Sequence, residues 1–197
     1  MRALTQQVSM ALIVAGAALT GTMLTAPAAV GAESASIPAV WKEQKIDFVY
    51  FGRTSRYTCD GMRDKLRAIL GSMGVRRDIN AIAVGCAITG DMRELRESSP
   101  TVHLLFSSPA LPEARAKPAH PGDLAPVDAQ YEAFTIATDA FRNMQPGDCE
   151  LVEEFVRQIL PKLTTRNMQS DVTCIPHQLS GSHYVVRGEV LRPLPAH

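Results

Sequence analysis

The chain has 197 residues, 46% of them hydrophobic, with 20 basic and 20 acidic side chains and a formal net charge of zero. That is enough apolar material for one ordinary domain core. The charge balance excludes a dedicated nucleic-acid binder, which carries a marked basic excess.

The N-terminus has the parts of a secretory signal. Arg2 is the only charged side chain before Glu33, and the apolar run Met10 to Leu24 (MALIVAGAALTGTML) has the length of a signal core. It falls short of the roughly 20 residues that a membrane span needs. Small residues offer cleavage after Ala32, with Ala28 the second choice, so residues 1–32 read as a signal peptide. Cutting there leaves 165 residues with 19 basic and 20 acidic side chains, and no later run is long enough to cross a bilayer. The first cysteine is Cys59, so none lies near the cut to accept a lipid.

After a short arm, KIDFVYFG places Ile46, Phe48 and Tyr50 on one face at period two, the mark of a strand. RYTCDGMRDKLRAIL follows as an amphipathic helix, with Thr58 or Asp60 able to cap its start and Gly74 placed to end it. INAIAVGCAI predicts a second strand with Ile82, Val84, Cys86 and Ile88 on one face, and TVHLLF a third. Residues 107–126 contain five prolines and few bulky apolar side chains, a composition that suits a semi-extended connector. The order then recurs: YEAFTIAT as a strand, PGDCELVEEFVRQIL as a helix, SDVTCI and HYVVRGEVL as strands.

Setting Cys59 on Cys149 aligns Met62 with Val152, Leu66 with Val156, Ile69 with Ile159, Leu70 with Leu160 and Met73 with Leu163. Amphipathic helices share apolar spacing for generic reasons, so two unrelated helices in register are the competing reading. A cysteine at the same helix position, with a second cysteine 27 or 25 residues on, favours a duplication. In the second helix Asp148 is placed as N-cap, Glu150, Glu153 and Glu154 read as a solvated face, and Pro161 should end the helix near Leu160.

An even number of cysteines in an exported chain reads first as disulfides. The duplication selects Cys59–Cys86 and Cys149–Cys174, one staple per repeat. Two sharper readings compete. A thiol at a helix N-terminus beside Arg56 is a candidate reactive thiolate, but no pair of cysteines with two residues between them is present. Cys174, His177 and His183, with Cys149 as a fourth donor, have the ligand types of a zinc site, though not a common zinc spacing.

Other chemistry is thin. Gly-x-Ser-x-Gly, a phosphate-binding glycine loop and His-Glu-x-x-His are all absent, and Asp47, Asp60, Asp139 and Asp148 form no pair for acid–base work. His103 with Glu132 or Glu189 is too small a set for a metal-chelating enzyme built from such repeats. Residues 52–77 carry seven basic side chains against two acidic ones. Arg53, Arg56 and Arg63 around the first helix N-terminus are therefore candidates for holding an anion, against the plainer reading of a solubilising surface. Residues 127–197 have six basic and nine acidic side chains, so the halves differ in sign and could dock on each other or on a partner.

YFGRTSRYTCDGMRDKLRAIL, with its aromatic strand and Tyr-Thr-Cys-Asp-Gly turn, resembles a group of small exported bacterial proteins without assigned function. The resemblance spans roughly residues 41–106 and implies no activity.

These readings predict an α+β protein of two strand–helix–strand–strand (βαββ) repeats, residues 33–106 and 127–197, joined by the proline-rich linker. Each repeat is expected to pack one helix on a small mixed sheet and to hold one disulfide. The expected role is a periplasmic or secreted, non-enzymatic binding or interaction protein of the cell envelope, without a cofactor. Its partner would be an envelope protein or an anionic ligand, not nucleic acid. The alternative is a small envelope enzyme or zinc-binding protein, with its site at the first helix N-terminus or the Cys174/His177/His183 segment.

Overall fold

A computed structural model describes residues 36–86, 99–112, 125–138 and 144–195; the expected signal segment, most of the linker and Ile88 lie outside them. The first half contributes β1 (Ile37–Val49), α1 (Cys59–Ser72), β2 (Asn80–Val84) and β3 (Thr101–Ala110). The second contributes β4 (Pro126–Ala137), α2 (Cys149–Gln158), β5 (Thr165–Thr173) and β6 (His183–Pro193). Short 3₁₀ turns, Pro146–Asp148 and Leu160–Lys162, bracket α2.

The expected pair of small mixed sheets is replaced by one six-stranded sheet in the order β2-β3-β1-β4-β6-β5, with every neighbouring pair antiparallel. In each half the third strand inserts between the first two. β1 and β2 therefore never touch, and each gains an antiparallel ladder against β3. The halves join where Ile37–Val40 pairs with Pro126–Ala129, so that the first residues of the two central strands close one sheet. The strand order reads the same from either end of the sheet.

β3 runs four residues past the expected start of the linker. Its Pro109 lies opposite Trp41 of β1, beyond the stretch of β3 that β2 pairs, so the missing N–H leaves no second ladder broken. Pro126, taken as the last linker residue, opens β4.

Helices and inward side chains form one core. Met62, Leu66, Ile69 and Leu70 of α1 are fully buried, as are Leu151, Val152 and Phe155 of α2, against Phe48, Val102, Ile136 and Val186 of the sheet. Thr58 caps α1 by accepting from the Gly61 N–H, and the helix ends at Gly74, whose φ of 76° costs an L side chain but not glycine. Pro161 ends α2 as expected, the chain tightening into a 3₁₀ turn at Leu160.

The disulfides are Cys59–Cys86 and Cys149–Cys174, each tying the first turn of a helix to the end of the following strand. Loops of 27 and 25 residues closed in this way stabilise by about 3–4 kcal/mol each through the entropy of the unfolded chain. Replacing Cys149 and Cys174 together by Ala is expected to lower the unfolding free energy by about 3 kcal/mol. Urea denaturation of the otherwise oxidised chain measures it.

Candidate functional site

The loop from Tyr50 to Thr58 carries the arginines singled out for an anion. Gly52 is required there, because a Cβ would stand 2.1 Å from the Tyr50 hydroxyl oxygen. The loop's amides already hold an anion, and it is internal. Arg53 N and Thr54 N both donate to Oε2 of Glu150, at 2.7 Å each. The Tyr50 hydroxyl donates to the Ser55 carbonyl at 2.9 Å and stands 3.4 Å from the same carboxylate oxygen. Ser55 Oγ donates to the Gly147 carbonyl at 2.6 Å, and His177 N to Thr54 Oγ1 at 2.9 Å.

Asp148, beside it, does not cap α2 with its side chain. It accepts instead from Tyr57 OH at 2.5 Å, Lys65 Nζ at 2.7 Å and Gln145 N at 2.7 Å. The preceding 3₁₀ turn puts its side chain against α1, where a buried carboxylate finds three donors. Glu150 and Glu154 are likewise buried, which corrects the reading of a solvated helix face for those two, while Glu153 is exposed as expected. Glu154 accepts from Arg157 and from Gln158 Nε2, while the Gln158 amide bonds both N and O of Val49, at 2.9 and 2.7 Å. Of these contacts, Lys65–Asp148 is an ion pair between the halves, and Glu150 and Gln158 reach the first half through its backbone.

Of the candidate anion ligands, Arg53 and Arg56 are exposed on the loop. Arg63 is engaged within its own helix, 2.8 Å from Asp60 and 3.0 Å from Asp64. The zinc reading is overturned, because Cys149 and Cys174 bond each other and have no thiolate to offer. His183 Nε2 lies 3.1 Å from Asp171, and no cluster of three or more metal-ligating side chains occurs among the described residues.

A different surface was hidden from sequence reasoning. The alternation of INAIAV places Ile82 and Val84 on one face of β2, but the face in the core is the other one, with Ala81 and Ala83. Ala81 lies opposite Leu104 and Ala83 opposite Val102, both fully buried, so β2 follows the inward register of β3. Ile82 and Val84 consequently face solvent at 56% and 45% exposure, beside Leu105 at 37%. Ile82 and Leu105, together with β1, border a shallow depression of about 320 Å³ on the helix-free face of the sheet. Ile82 and Leu105 supply its apolar part, and Glu43, Lys45, Asp47 and His103 its charged part.

His103 Nδ1 lies 2.7 Å from Asp47 Oδ1, directly across the β1–β3 ladder. A carboxylate-oriented imidazole is one component of an acid–base site. Here both side chains are more than half exposed, and the lining holds no serine, threonine or cysteine.

Replacing Glu150 by Ala is expected to cost about 1–3 kcal/mol and to speed amide exchange at Arg53 and Thr54, while Glu150→Gln, which keeps one acceptor, costs less. Burial, then the neighbouring Glu150 charge for Tyr50 and the Asp148 hydrogen bond for Tyr57, raise both phenol pKa values well above the ordinary range. The fold therefore holds these protons more tightly than the unfolded chain. That contribution is complete below a pH of about 10 and is lost as the pH rises past it. Urea midpoints measured upward from there should fall more steeply for the native chain than for Tyr57→Phe.

Comparison with protein-family models, curated proteins and solved structures finds no match for this chain.

Proposed function

We propose that the protein is an exported, disulfide-stabilised interaction module of the cell envelope that acts by binding, and that the helix-free face of β1, β3 and β2 is its binding surface. The observation that carries this reading is the orientation of β2. A strand that turns its alanines inward and its isoleucine and valine outward exposes apolar surface for which the fold itself has no use. Export is supported by the signal-like N-terminus and by two disulfides, which persist in oxidising compartments. No helix among the described residues is long and apolar enough to cross a membrane. The open, shallow shape suits an extended polypeptide better than an enclosed small molecule.

A photo-reactive residue at Ile82 or Leu105 should yield a discrete cross-linked product in the envelope of a producing cell. One at Ala68, exposed on α1, should not. Cross-linking that is absent at both sheet positions, or equal at Ala68, rules the surface out.

A further inference from the structure

Among the described residues the sheet has two edges, and they are built differently. β5 has the features that keep an edge strand from pairing. Its ladder slips between Arg166 and Gln169, Asn167 there takes a φ of 54°, and it carries Arg166 paired with Glu189 and Asp171 paired with His183. A bulge and charges of this kind bend the strand and penalise a neighbour. β2 has neither. Asn-Ala-Ile-Ala-Val contains no charge and no proline, and its five residues pair with β3 in unbroken register.

We infer that β2 is a self-association edge, pairing antiparallel with β2 of a second copy about a two-fold axis at Ile82; this rests on the binding reading proposed above and places a second copy at the rim of that face, which edge pairing extends and leaves open. In that register Asn80 of one copy lies opposite Val84 of the other, Ala81 opposite Ala83, and Ile82 opposite itself. The strand is self-complementary because it is uncharged: no like charges meet, and none is buried without a counter-charge. A two-fold axis perpendicular to the sheet keeps both helix-free faces on one side. Ile82, Val84 and Leu105 of the two copies then form a single apolar stripe. The relation repeats the one at the centre of the chain, where β1 meets β4 antiparallel over four residue pairs. Five residue pairs along one strand edge make a contact well below the roughly 1,200 Å² of a standard interface, so the dimer is a weak one that forms with concentration.

Sedimentation of the oxidised mature chain up to about 1 mM, the range of weak association, tests this. The native chain should pass from monomer to dimer. Ile82→Lys and Ile82→Glu should each self-associate at least tenfold more weakly, since like charges then face each other at the axis. Mixing the two variants should restore dimers, which also shows that both are folded. Asp171→Lys on β5 should behave as the native chain. A native chain that stays monomeric throughout, or an Ile82→Lys chain that dimerises as well as the native one, overturns the inference. If the chain stays monomeric while position 82 cross-links to another polypeptide in the envelope, self-pairing fails and the binding surface stands.

Discussion

The structure depends on two buried carboxylates, Asp148 and Glu150, at the start of α2. Both belong to the second half, and most of their donors come from the first: Tyr57 and Lys65 for Asp148, the Arg53 and Thr54 amides for Glu150. A carboxylate taken out of water without partners is strongly destabilising, so each is tolerated only because several donors converge on it. That requirement specifies how the halves dock. The strands at the centre of the sheet pair over only four positions and share a small cluster of Ala39, Ala129 and Leu191. The polar clamp and the shared helix layer supply the rest.

The clamp also engages the backbone amides of the arginine-bearing loop. A basic loop before a helix N-terminus is a natural place for an external anion. Here its Arg53 and Thr54 amides bond Glu150 and Arg63 is paired within α1, while the Arg53 and Arg56 side chains are exposed. On the opposite side of the sheet apolar side chains emerge because β2 follows the inward register of β3. Structural demands account for the helix side. The exposed isoleucine and valine meet no such demand.

Much of the architecture was legible. Local sequence patterns placed a segment on each of the six strands and on both helices, because each pattern reflects one face held against one core. The cysteines aligned for the same reason: each disulfide needs its helix start and strand end close together in either half. The depth of α2 was not legible. Glu150 and Glu154 look like surface residues in any helical projection, and only the loop folded over them provides the donors that allow their burial. His103 and Asp47 are 56 positions apart and meet only because β3 inserts beside β1.

The sequence by itself determined the element order, the inward faces of β1 and α1, the cysteine pairing and a signal-like N-terminus, since each rests on local periodicity or spacing. Tertiary structure alone decided that the halves share one antiparallel sheet, that β2 shows its larger side chains to solvent, and that the acidic start of α2 clamps the basic loop of the other half. An alternating strand has two faces and nothing local says which is inward. A carboxylate is at ease in water or among donors, and only the folded neighbourhood chooses between them.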